Sequence, residues 1–63
     1  MEELITTLNK FRAEANDCAR LGRTAPDRQT RALFERLAER LREMVQEIET
    51  TIAARTKLSG RWE

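Results

Sequence analysis

Residues 22–27, GRTAPD, separate two long runs of helix-forming residues and decide the fold. Gly22 follows the last residue of a regular apolar pattern, where glycine ends a helix at little steric cost. Thr24 belongs to the residue types favoured as an N-cap, and Pro26 is tolerated in a first turn because its missing N–H is not needed there. Asp27 then stands at the capping-box position. The stretch predicts that one helix ends just before it and that the next begins within it.

The run before this turn has apolar residues at alternating steps of four and three. They are Leu4, Leu8, Phe11, Ala15, Cys18 and Gly22. This spacing keeps the side chains on one side of an α-helix. We therefore expect a first amphipathic helix over about residues 2–21.

The run after the turn carries a second apolar stripe. It consists of Phe34, Leu37, Leu41, Val45, Ile48 and Ile52, flanked by Leu33, Ala38 and Met44. The first three stripe positions recur eleven residues later, which predicts a nearly straight stripe rather than a strongly supercoiled one. We expect a second helix over about residues 25–57.

A link of about three residues makes two helices antiparallel neighbours. The predicted fold is therefore all-α, a helical hairpin forming one domain over residues 1–57. Ser59 and Gly60 interrupt the helical pattern, so residues 58–63 are predicted to be a flexible tail. Trp62 in this tail is interpreted either as an anchor for a partner or as a cover for Ile52 of its own chain.

A chain of this length buries only about 60% of its unfolded surface, so one hairpin has little stability in reserve. A turn at residues 23–24 would place Phe11 beside Leu37 and leave residues 45–52 without partners in the chain. We expect a homodimer forming a four-helix bundle, or alternatively an obligate subunit that docks residues 45–52 on a different protein. The predicted partner interface consists of Leu4, Leu8, Phe11, Leu37, Leu41, Met44, Val45, Ile48 and Ile52.

Composition argues against catalysis. The chain has no histidine or tyrosine, and its one serine and one cysteine cannot form a nucleophile and base pair. The row Glu35, Glu39, Glu43 and Glu47 alternates with arginines and is interpreted as a solvated face rather than a metal site. No enzyme activity, cofactor, metal or small-molecule substrate is expected. Cys18 is expected to be buried and unreactive, with a redox switch or intermolecular disulfide as the alternative.

Four arginines, Arg20, Arg23, Arg28 and Arg31, lie around the turn and are candidates for phosphate contacts. An isoelectric point of about 8.0 is lower than is typical of nucleic-acid-binding domains, and no aromatic residue lies among these arginines to stack on a base. Nucleic-acid binding is therefore the alternative function. Acidic residues near the N-terminus and the lack of a long apolar run predict no membrane association, and a lone cysteine suits the reducing cytoplasm.

The middle of the chain resembles a group of short bacterial proteins frequent in alphaproteobacteria. The resemblance covers about residues 15–45, with Gly22 and Arg42 standing where alanine is usual in that group. It is carried by Cys18-Ala19-Arg20-Leu21, Ala25-Pro26-Asp27, Arg31, Leu33-Phe34, Leu37-Ala38 and Leu41. It implies a bacterial helical hairpin and assigns no site residues. Together with the residue patterns it leads us to expect a non-enzymatic protein-protein interaction module, such as a small regulator or accessory subunit.

Overall fold

A computed structural model describes the backbone of residues 1–62 and the side chains of residues 1–56. It contains helix α1, Glu2–Thr24, and helix α2, Arg28–Trp62, joined by three residues. Arg12 of α1 forms an ion pair with Glu49 of α2, 37 residues away, so the helices run antiparallel. The predicted all-α hairpin is confirmed.

The hairpin is elongated, measuring 54 × 15 × 12 Å. Its 35-residue second helix alone spans about 52 Å at 1.5 Å per residue. The radius of gyration is 15.3 Å, whereas a compact domain of this length has about 10.6 Å. Two helices side by side therefore leave most of their surfaces uncovered.

The first helix ends three residues later than predicted, and Pro26 is the reason. A proline disfavours the helical conformation in the residue before it. Ala25 accordingly has an extended backbone, with φ −64° and ψ 133°. Thr24, predicted to be the N-cap of the second helix, is instead the last residue of α1, where its hydroxyl donates hydrogen bonds to the carbonyl oxygens of Arg20 (3.4 Å) and Leu21 (3.3 Å).

Asp27 begins the second helix. The backbone N–H of Thr30 donates a hydrogen bond of 3.0 Å to Oδ2 of Asp27, which makes Asp27 the N-cap. Hydrogen bonds from Thr30 hold the pKa of the Asp27 carboxyl below its ordinary value of 3.8. The positive end of the helix dipole favours the same ionised form. The predicted start near residue 25 was therefore three residues early, and the predicted capping-box role of Asp27 was wrong.

Gly22 does not end α1, contrary to the prediction. It lies inside the helix, is buried, and does not have a positive φ. A Cβ atom at this position would lie 3.4 Å from Cβ of Phe34 and 3.7 Å from the carbonyl oxygen of Arg31. Gly22 thus marks the place where the backbones of the two helices come close together.

The packed stripe of α1 is the predicted one. Its positions are Leu4, Leu8, Phe11, Ala15, Cys18 and Gly22, continued by Ala25, and all are buried or half-buried. The packed stripe of α2 differs at one position. It consists of Phe34, Ala38, Leu41, Val45, Ile48 and Ile52.

Ala38, with 2% of its surface exposed, takes the place that had been predicted for Leu37, which is 39% exposed. The stripe of α2 therefore has steps of four and three throughout, and the predicted eleven-residue repeat was wrong.

The relative position of the helices also corrects the sequence prediction. Because the turn lies at residues 25–27, Gly22 packs against Phe34, and the long side chains of Arg12 and Glu49 reach each other. Equal counts along the two helices from Gly22 and Phe34 put Phe11 at the level of Val45, not Leu37. The expectation that residues 45–52 lack partners within the chain was wrong, since Val45, Ile48 and Ile52 are half-buried.

Helix α2 extends to Trp62, beyond the predicted end at residue 57. The side chain of Trp62 lies outside the described side chains, so its predicted roles stay predictions, as does the predicted flexibility of residues 58–63.

Replacing Gly22 with alanine should stabilise the hairpin. The backbone at Gly22 is helical and a Cβ fits at van der Waals distance, so Gly22→Ala should raise the free energy of unfolding by about 0.5–1 kcal/mol. Urea denaturation followed by circular dichroism measures this change. Gly22→Val, whose added methyl groups would meet Phe34, should destabilise the protein. A loss of stability in Gly22→Ala would contradict the presence of room for a Cβ atom between the two helices.

The Asp27 cap should make the stability of the hairpin depend on pH in the acidic range. The pKa of Asp27 is lowered in the folded state. The ionised carboxylate therefore contributes to stability above the pKa of the unfolded state, and this contribution is lost as the pH falls through the pKa of the folded state. Asn caps a helix about as well as Asp but carries no charge. The melting temperature of the native chain should therefore exceed that of Asp27→Asn at neutral pH, and the difference should shrink as the pH falls below about 4. Thermal melts at one fixed chain concentration measure it, and a difference independent of pH would contradict the assignment.

Candidate interaction surface

The Arg12 and Glu49 ion pair distinguishes the two broad sides of the hairpin. Each residue of an α-helix is rotated by about 100° around the helix axis from the residue before it. In two antiparallel helices, the residue that follows a packed position is therefore turned to the same side of the pair in both helices. Arg12 follows the packed residue Phe11, and Glu49 follows the packed residue Ile48. Residues that follow a packed position therefore lie on the side of this ion pair, which we call the bridged face. Residues that precede a packed position lie on the opposite side, which we call the open face.

The bridged face is mostly polar. Its members include Asn9, Arg12, Asn16, Arg23, Glu35, Glu39, Arg42, Gln46 and Glu49. A shallow groove on this side has Ala19 and Ala38 among its lining residues, together with two arginines and two glutamates. Because the charges along this groove balance, it has the character of an ordinary solvated surface.

The open face is apolar in the half of the hairpin that adjoins the turn. Four large side chains there remain exposed: Leu21 (46%), Leu33 (47%), Leu37 (39%) and Met44 (44%). Each directly precedes a packed position, and the contact between Gly22 and Phe34 brings Leu21 to the level of Leu33 and Leu37. Contiguous exposed apolar side chains on a small protein are typical of a binding surface.

Charged residues accompany this apolar region along both helices. On α1, Lys10, Glu14 and Asp17 also precede packed positions, and on α2 so do Arg40 and Glu47. Asp17 lies five residues before Gly22 in α1, and Arg40 lies six residues after Phe34 in α2. Because Gly22 lies against Phe34, Asp17 and Arg40 are within one residue of the same height along the hairpin. The same count brings Lys10 within one residue of the level of Glu47. Opposite charges therefore occupy matching heights on the two edges of the open face.

The hairpin has a small interior. The buried hydrophobic residues are Leu8, Ala15, Ala25 and Ala38, and within the described part of the chain no large side chain is fully buried. Three of these four residues are alanines, which contribute little apolar area. Most of the large side chains that a core would normally hold lie at half-buried positions or on the open face, whereas Ile5, which follows packed Leu4, is exposed on the bridged face.

The structure divides the predicted partner interface into two groups. Seven of its residues line the contact between α1 and α2: Leu4, Leu8, Phe11, Leu41, Val45, Ile48 and Ile52. Leu37 and Met44 lie on the open face. Leu21 and Leu33 complete the apolar region but were absent from the predicted set. Leu33 could have been found from its steps of four to Leu37 and eleven to Met44, which place all three on one side of a helix.

Two of the four arginines near the turn are already engaged within the chain. Arg20 lies two positions before Gly22, on the side of α1 away from α2, and forms an ion pair of 2.6 Å with Asp17. The guanidinium of Arg31 donates a hydrogen bond of 3.4 Å to the carbonyl oxygen of Ala25, across the turn. Arg23 lies on the bridged face. Arg28, in the first turn of α2, is exposed.

The remaining candidate groups form no further site in the described part of the chain. Among side chains of residues 1–56, no cluster of three or more cysteine, aspartate or glutamate groups is placed to hold a metal ion. Glu35, Glu39, Glu43 and Glu47 are exposed along α2, as their spacing predicted. Cys18 is a free, half-buried thiol on the packed stripe of α1. Neither described helix is long and apolar enough to cross a membrane.

No family model, curated protein or solved structure matches this chain. The resemblance to short alphaproteobacterial hairpins therefore stays a prediction.

Proposed function

We propose that the protein is a non-enzymatic helical module that binds another protein chain through its open face, in the manner of a small regulator or accessory subunit of the cytoplasm. One observation carries this proposal. Leu21, Leu33, Leu37 and Met44 are exposed together on one side of a chain in which 37% of the residues are charged.

The energetic argument rests on these four side chains. Full burial of a leucine or methionine side chain stabilises a protein by about 1.5–3 kcal/mol relative to full exposure. At 39–47% exposure, each still has an appreciable part of that stabilisation to gain. A partner that covers the open face would bury all four side chains, and the complex would be stabilised by the sum of these contributions in addition to any from the charged edges.

Nucleic-acid binding by the turn remains the alternative prediction, and the structure gives it less support than the open face gives to protein binding. Of the four arginines near the turn, Arg20 and Arg31 already have partners within the chain.

Site-specific photo-cross-linking tests the proposed face. A photoreactive phenylalanine analogue replaces Leu37 in the full chain, expressed in the cells that produce the protein. The control carries the analogue at Gln46, which lies on the bridged face of the same helix. We expect irradiation to link the Leu37 variant to a protein chain and to give much less product from the Gln46 variant.

The mass of the product identifies the class of partner. A product of twice the chain mass indicates self-association, and any other mass indicates a different protein. If the Leu37 variant gives no product, or if both positions give equal amounts, the open face is not the binding surface.

A further inference from the structure

We propose that the chain that covers the open face is a second copy of this protein, and that both turns lie at the same end of the resulting four-helix bundle. This inference rests on the proposed function, because it names the partner of the same face. In this arrangement a two-fold axis runs parallel to the helices, so that α1 of each copy lies against α2 of the other.

The exposed area is the first support for a second copy. The chain exposes 5407 Å², whereas a compact protein of 7.4 kDa exposes about 4,200 Å². The excess of about 1,200 Å² is larger than the roughly 800 Å² that each partner contributes to a standard interface.

The position of the apolar region decides the direction of the second copy. Leu21, Leu33 and Leu37 lie in the half of the hairpin nearest the turn. An axis parallel to the helices keeps every residue at its own height, so Leu21 of one copy meets Leu33 and Leu37 of the second copy. If the turns lay at opposite ends and the helices overlapped fully, the apolar half would instead cover the polar half that contains Lys10 and Glu47.

The charges on the edges of the open face agree with this direction. Because heights are preserved, Asp17 of one copy lies beside Arg40 of the second copy, and Lys10 lies beside Glu47. The two-fold axis produces each contact twice, as in any symmetric dimer. Asp17 is bonded to Arg20 within its own chain, but both partners of that pair are exposed and such pairs contribute little, so Asp17 can also engage Arg40.

The opposite direction is disfavoured by the same charges. With the turns at opposite ends, each helix packs against its own equivalent in the second copy. Sliding the copies until their apolar regions overlap would then bring Asp17 near Asp17 of the second copy and Arg40 near Arg40. Like charges at these positions repel, and the overlap of the helices is shorter.

A charge exchange tests the arrangement. The full chain, Asp17→Arg and Arg40→Asp are each studied by sedimentation equilibrium at low salt over a range of concentrations. We expect the native chain to dimerise and each variant alone to dimerise about tenfold more weakly, since it places like charges at two contacts. An equimolar mixture of the variants should dimerise about as tightly as the native chain, because both contacts of the mixed dimer again join opposite charges.

Two further measurements guard against effects on folding. Circular dichroism reports whether each variant keeps its helix content, and Glu39→Arg, a charge reversal on the bridged face, should dimerise like the native chain. Lys10→Glu and Glu47→Lys provide an independent pair of variants. Each alone should dimerise more weakly than the native chain, and an equimolar mixture of the two should dimerise about as tightly as the native chain. If either single variant of the first pair does not fold, this second pair decides the question.

Each outcome has a definite meaning. A native chain that stays monomeric overturns the inference, and if Leu37 then cross-links to a different protein, the proposed function still stands. A native dimer that the single charge reversals do not weaken, or whose mixtures do not recover, overturns the same-end arrangement. A monomeric chain that gives no cross-link at Leu37 overturns both proposals.

Discussion

Pro26 excludes a helical conformation at Ala25, and the position of this break determines every contact between the two helices. Ala25 is extended because its successor is proline, so α1 continues to Thr24 and α2 begins only after Asp27. The link that results is too short to allow the helices to slide past one another. Once Gly22 lies against Phe34, the levels of the remaining residues follow from the helical rise, and the long side chains of Arg12 and Glu49 come within reach of each other.

This register brings small residues together. Ala15, Gly22 and Ala38 are all buried positions of the contact between the helices. Small side chains let helices approach closely, but they contribute little apolar area to an interior. The larger residues Leu37 and Leu33 lie one position before a packed residue and are turned toward the open face. Close packing within the hairpin and an exposed apolar face are therefore two results of the same register.

Much of this fold could be predicted from the sequence, because the helical pattern of α1 and the turn residues are local signals. The register of the two helices could not be predicted, because the roles of Gly22 and Pro26 at the helix ends were misinterpreted. A glycine after an apolar stripe is typical of a helix end, but here Gly22 occupies a packed position of the same stripe. The effect of proline on the preceding residue was the stronger constraint. Moving the break by three residues altered the partners of every residue in α2, including Val45, Ile48 and Ile52.

The stripe of α2 shows why hydrophobicity alone misplaced part of the site. Leu37 and Ala38 are adjacent, and hydrophobicity favours the leucine as the buried residue. Steps of four and three from Phe34 lead to Ala38, and a leucine at that position would separate the helices where Gly22 and Ala15 bring them together.

Ala38 is therefore buried between the helices because it is small, and Leu37 lies outside the contact. A chain that needed its leucines for its own interior would have placed them at the contact between the helices. Because the hairpin closes without them, the open face is available to a second chain.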